Sequence, residues 1–200
     1  MESWRILLDP PGDPAANMAE DEKLAQAVRK GAPPALRIYG WERPAVSIGR
    51  RQKKEDLPEE ILSQDLPVVR RPTGGGIVVH SGQEVTYSLA FPLCLIPKGV
   101  RVSALPVSLH RQVKDLLENA SPDLSGQLRV APRDAGGPYH LCFSAPVCGD
   151  ILLDSKKVAG CAVRVWKEAV LMQGSIQGIP LPAGRWREIL CEAVRRTFPG

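Results

Sequence analysis

The chain has 200 residues, 44% hydrophobic and 24% charged, with a net charge of +4. That suffices for one ordinary domain with a substantial core, and no apolar run approaches the roughly 20 residues of a membrane span. The mild charge suits an acidic protein partner as readily as a nucleic acid, but aromatic residues are only 5% and do not interleave with basic ones. We therefore expect neither a nucleic-acid nor a membrane partner. The opening Met1–Arg5 lacks the basic-then-apolar layout of a signal peptide, so a cytoplasmic location is expected. Five cysteines, none in CxxC spacing, argue against a metal site and suggest buried thiols in a reducing compartment.

Trp4–Leu8 reads as a strand ended by Asp9–Pro10–Pro11–Gly12. Asn17 reads as the N-cap of a helix over Ala19–Val28, with acidic residues early and Arg29–Lys30 late, as the helix dipole prefers. Leu36–Trp41 and Ala45–Ile48 are expected strands. A basic loop at Arg50–Lys54 and a short helix at Pro58–Gln64 follow. Glu84–Leu93 alternates as a strand, and Ser103–Ala120 carries a helical stripe of Leu105, Leu109, Val113, Leu116 and Leu117. His110 on that helix reads as a surface or packing residue. Gln127–Val130, Ile151–Leu153, Val158–Val165 and Ala169–Ile176 read as strands, the last three joined by short turns into an antiparallel meander. Trp186–Phe198 closes the chain as a helix. The order predicts an α+β domain over residues 1–200, with a largely antiparallel sheet.

Two stretches carry chemistry. Arg70–Arg71–Pro72–Thr73–Gly74–Gly75–Gly76, before Ile77–His80, places a glycine turn between two short strands. Such a turn offers bare backbone and fixed positive charge to an anion or a carbonyl oxygen; a structural hairpin loop fits equally well. The second runs from Leu141 to Gly160. Cys142 within it is either an activated nucleophile or a buried thiol. Cys148 is a second candidate nucleophile, and His140 a candidate base. Cys94, Cys161 and Cys191 read as structural thiols.

Five motifs in order resemble the lipoyl branch of the biotin/lipoate protein ligase superfamily. They are Trp4–Asp9 with Ala16–Glu22, Leu36–Trp41 with Pro44–Gly49 and Gln52, the Arg70–His80 loop, Lys157–Ala162, and Gln173–Ile176. The resemblance implies a central mixed sheet with helices packed on one side and loops enclosing a medium-chain acyl pocket. In that pocket Arg70, Arg71, Thr73, Gly74, Gly75, Gly76, His80, Gly160, Cys161 and Ala162 would bind substrate. Lys157 would donate to the acyl carbonyl. The acceptor would be a lysine of a lipoyl carrier domain. No tightly bound cofactor is implied beyond the octanoyl or lipoyl substrate.

Two chemistries exist in that family. Cys142–Phe143–Ser144–Ala145–Pro146 and Glu84–Ser88 resemble octanoyltransferases, in which a cysteine takes octanoyl from an acyl carrier protein as a thioester. Gly74–Gly75–Gly76 resembles the ATP-dependent ligases, which form an acyl-adenylate and in which an aspartate at the place of Asp150 helps hold magnesium. A ligase reading also implies a separate accessory subunit, because no accessory domain is expected within these residues. A catalytically silent acyl-binding module is the alternative of another class; Lys157 in register argues against it.

Overall fold

The computed structural model describes residues 4–132 and 146–199. Its elements in chain order are β1 (Arg5–Leu8), α1 (Pro14–Arg29), β2 (Ala35–Tyr39), β3 (Ala45–Ile48), α2 (Glu59–Leu62), β4 (Val68–Arg70), β5 (Val78–His80), β6 (Val85–Pro92), α3 (Leu105–Ala120), β7 (Leu128–Val130), β8 (Ile151–Leu153), β9 (Lys156–Val165), β10 (Ala169–Ile176) and α4 (Ala183–Thr197).

Among the described residues, seven strands form one sheet in the order β1-β2-β6-β10-β9-β8-β7, and β4-β3-β5 form a second. Only β1–β2 is parallel in the large sheet; every other neighbour is antiparallel, including the expected β8–β9–β10 meander. Successive side chains point to opposite faces of a strand, and the sequence uses both. Leu36, Ile38, Tyr87, Leu89, Phe91, Val170 and Met172 meet the Leu105–Leu109–Val113–Leu117 stripe of α3 and the Trp186, Ile189, Leu190 and Val194 side chains of α4. Ala35, Ala90, Ala169 and Leu171, one residue out of phase, meet Leu24, Ala25 and Val28 of α1.

The mixed α+β sheet is thus as expected. The placement of helices on one side holds for α3 and α4, whereas α1 packs on the opposite face. The alanines explain this: small residues at 35, 90 and 169 let α1 approach the sheet closely.

The start of α1 also differs. Asp13, not Asn17, is the N-cap; its Oδ1 accepts the Ala15 and Ala16 N–H groups at 2.9 and 3.1 Å, and Pro14 opens the helix. Asn17 is buried in the first turn, where Nδ2 donates to the Gly40 carbonyl at 2.9 Å and Oδ1 accepts from Arg37 at 2.9 Å. It latches the helix to the end of β2. The glycine stretch is not a hairpin either: β4 and β5 flank β3 on opposite sides, so the loop crosses over the end of β3.

Candidate active site

The glycine loop is built from behind. Arg71 is buried, and its guanidinium turns into the loop, donating to the Gly74 and Gly76 carbonyls at 3.0 and 2.7 Å and to the Ser47 carbonyl and hydroxyl at 2.7 and 2.8 Å. Since Arg71 donates to Ser47 Oγ, the Ser47 hydroxyl is oriented to donate to His80 Nε2 at 2.7 Å, and His80 Nδ1–H donates to Glu84 at 2.7 Å. This fixes one neutral tautomer of His80, consistent with burial lowering its pKa against the opposing pull of Glu84. Burial would raise Glu84, but His80 together with donors such as the Ser81 hydroxyl holds it below its ordinary value. His80 also stacks on Trp41 with ring centroids 3.8 Å apart. Arg71 and His80 therefore shape the loop, whose outer edge is exposed Gly75 beside half-buried Gly74.

The loop is anchored at its other end too. Thr73 Oγ donates to Gln173 Oε1 at 2.7 Å, and Gln173 Nε2 donates to Asp21 at 2.7 Å. Asp21 is fully buried and also accepts from Arg37, Tyr39 and Ser88. In the sequence Asp21 reads only as one of the early acidic residues that suit the helix dipole, and nothing at that position marks it as this hub. The available signal was Arg37, a charge inside the otherwise apolar Leu36–Ile38 strand, which needs a buried counter-charge. Gly49 completes the fit: a Cβ there would lie 2.2 Å from the Gly75 carbonyl oxygen.

Lys157 enters from the opposite edge. On a regular strand, residues three apart face opposite ways, yet the Lys157 side chain lies directly over Gly160. The reason is a β-bulge in β9: Ile151 pairs with Ala159 but Leu152 pairs with Lys157, so one extra residue re-aims the lysine. A Cβ on Gly160 would sit 2.5 Å from Lys157 Cε and 2.9 Å from Asp150 Oδ1. Lys157 Nζ is 2.8 Å from Asp150 Oδ2, with the two side chains 1% and 3% exposed. Asp150 Oδ2 also accepts the Val147 N–H at 2.7 Å. Burial raises the Asp150 carboxyl, and Lys157 offsets this in part.

The two halves meet on β9. Gly160 lies under Lys157, and Ala162, two residues on and roughly 7 Å along the strand, lies under the loop, where a Cβ on Gly75 would be 3.5 Å from Ala162 Cβ. Half-buried Cys161 faces the other way, in the row Tyr87–Gly174–Cys161 across β6, β10 and β9. Exposed Arg70 binds the basic loop through the Gln52 carbonyl.

Beside Gly74 a cleft of about 310 Å³ opens, lined by Arg50, Arg51, Arg164 and Trp166. Arg164 donates to the Pro72 carbonyl at 3.1 Å and lies 4.2 Å over the Trp166 ring.

Cys142 and His140 lie outside the described residues. Among the described cysteines Cys94 is exposed and Cys148, Cys161 and Cys191 are half-buried, so none is the fully buried thiol expected. Among the described residues, no group of three His, Cys, Asp or Glu side chains could hold a metal ion. Among the described residues, no helix is long and apolar enough to cross a membrane.

The chain is 36% identical over 186 residues to the octanoyltransferase LipM of Kyrpidia tusciae, with 88% of this chain and 66% of that protein covered. It therefore spans just under two thirds of that relative's length. Its fold is similar to that of a protein from T. acidophilum assigned as a lipoate protein ligase and solved with lipoic acid bound. That match has a TM-score of 0.74 and 21% identity over 98% of this chain and 86% of the other. It is also similar to lipoate-protein ligase A bound with ATP, with a TM-score of 0.69 and 22% identity over 99% and 84%. With a sequence profile matching residues 13–177, the chain belongs to the lipoyl protein ligase A/B catalytic domain family.

Proposed function

We propose that this protein transfers an octanoyl or lipoyl group to a lysine of a lipoyl carrier domain, using Cys142 to carry the acyl group as a thioester. The carrying observation is the buried Lys157 ammonium held over Gly160, one face position from the glycine loop. An acyl carbonyl lying between Gly75 and Lys157 would have a preorganised cation where charge develops in acyl transfer.

The chemistry follows in two steps. The Cys142 thiolate attacks the carbonyl of a thioester donor; negative charge gathers on the carbonyl oxygen near Lys157, the donor carbon–sulfur bond breaks, and the carrier leaves as a thiolate that takes a proton from solvent. The neutral amine of the acceptor lysine then attacks the acyl-enzyme, the Cys142 carbon–sulfur bond breaks with the pair staying on sulfur, and an amide forms as the amine passes a proton to solvent, regenerating the thiolate. Exchanging one thioester for another is close to isoenergetic, so no ATP is needed. We assign octanoyl–acyl carrier protein as the donor. The basic rim at Arg50, Arg51 and Arg164 supports an acidic carrier as partner, because like charges gathered on one rim favour an anionic surface.

The ATP-dependent ligase is the second reading, favoured by the triple glycine spelling. Asp150, its expected magnesium contact, has Oδ2 engaged by Lys157 and Val147, and no three-ligand group stands beside it among the described residues. Magnesium is commonly held by one or two carboxylates together with substrate phosphates, so Asp150 would be the residue that holds it in this reading. A separate accessory subunit belongs to this second reading alone. The two readings are tested by supplying an apo lipoyl domain with either octanoyl–acyl carrier protein or ATP, magnesium and lipoate. We expect modification from the thioester donor without ATP. Modification only with ATP and lipoate would overturn the transferase.

A further inference from the structure

His110 was expected to be a surface or packing residue, yet it is fully buried and polar on both nitrogens. Its Nδ1–H donates to the Gly149 carbonyl at 2.5 Å. A carbonyl only accepts, so the neutral ring presents Nε2 as acceptor to the Tyr87 hydroxyl, 2.7 Å away. Each end of this bridge meets the site. Gly149 immediately precedes Asp150, the partner of Lys157, in the turn from Val147; that turn is fixed by Asp150 N–H to Val147 O at 3.0 Å and Gly149 N–H to Ala131 O at 3.1 Å. Tyr87 lies across β10 because position 174 is glycine: a Cβ there would be 2.2 Å from the ring. Burial and the ring's neighbour Cys161 hold its hydroxyl well above its ordinary pKa, so it stays a donor.

Helix α3 thus reaches through the core to grip the turn that carries Asp150. We propose that His110 is a positioning residue for Lys157, acting through its hydrogen bond to the Gly149 carbonyl and the Asp150 turn, while Tyr87 fixes the imidazole. The inference rests on the assignment of Lys157 as the group that polarises the acyl carbonyl. A core residue would tolerate any isosteric replacement that preserves folding. A positioning residue distinguishes which of its two bonds is kept.

Two amide substitutions make that distinction. In His110→Asn the amide nitrogen takes the place of Nδ1 and keeps the Gly149 bond; in His110→Gln the amide reaches the place of Nε2 and keeps Tyr87. Losing a whole oxyanion donor costs about 100- to 1,000-fold in kcat, so displacing one costs roughly 10-fold or more. With folded enzyme matched by circular dichroism, we expect His110→Asn to hold kcat within about threefold and His110→Gln to lose at least about tenfold, KM for the lipoyl domain unchanged in both. Equal kcat values for the two, or a change confined to KM, would overturn the proposal. A readout independent of turnover is the side-chain ammonium NMR signal of Lys157, assigned with Lys157→Ala. It should persist in wild type and His110→Asn and be lost in His110→Gln; its persistence in His110→Gln would refute positioning. If the wild type transfers no acyl group while this NMR pattern holds, the functional reading fails and the positioning stands.

Discussion

Substituting Gly160 by alanine probes the site most sharply. The new methyl carbon would lie 2.5 Å from Lys157 Cε, 2.7 Å from Nζ and 2.9 Å from Asp150 Oδ1. Carbon atoms prefer about 3.5–4.0 Å, so the lysine tail must move by about 1 Å. A flexible tail elsewhere would swing aside at little cost. Here the ammonium is 1% exposed and paired at 2.8 Å, so movement weakens a buried ion pair. Overpacking a core costs about 1–3 kcal/mol, and breaking a buried pair outright about 3–5 kcal/mol; since the chain shifts rather than vanishes, we expect about 1–3 kcal/mol in urea unfolding. Activity should fall much further than stability, by at least about tenfold in kcat for transfer to the lipoyl domain, because the cation leaves its place over the strand. Gly160→Ala enzyme with wild-type kcat would refute the assignment of Lys157 to this position and purpose.

Three further expectations follow from the same geometry. Gly184 lies in the first turn of α4 with nothing within 4 Å of a Cβ, so Gly184→Ala should stabilise by about 0.5–1 kcal/mol and leave transfer unchanged; a loss of Tm would contradict it. Asp150→Asn leaves the Lys157 ammonium beside a neutral amide, which should cost about 3 kcal/mol in denaturant unfolding and abolish transfer; an unchanged midpoint would show the pair to be inconsequential. Burial drops the pKa of His110 from 6.5 to about 4, so the folded protein binds fewer protons there than the unfolded chain. Its contribution is complete above about pH 6.5 and is lost as pH falls towards 4, about 3 kcal/mol in all. Stability measured across that window should fall less steeply in His110→Asn than in wild type, and parallel curves would refute the burial argument.

The sequence made the meander readable because three apolar runs separated by turns such as Asp154–Ser155–Lys156 admit little but antiparallel pairing. The α3 stripe was equally plain, since all four buried leucine and valine positions fall on one helical face. Lys157 and the glycine loop were legible as residues, but their shared face was not, because a bulge that turns Lys157 has no local signature in Lys156–Gly160. Asn17 misled for a related reason: it has the chemistry of a cap, and only the partner strand shows that its amide bonds Gly40. His110 and Asp21 were hidden because their partners lie 39 and up to 152 residues away. Arg71 and His80 are polar enough to suit a ligand, but three-dimensional packing directs them into the protein.

The most direct test of the account is the intact mass of the protein after incubation with octanoyl–acyl carrier protein. The account requires a single octanoyl adduct that survives in Cys148→Ser, is absent in Cys142→Ser, and is discharged when apo lipoyl domain is added. An adduct that persists in Cys142→Ser, or a lipoyl domain octanoylated with no adduct ever formed on wild type, would contradict it.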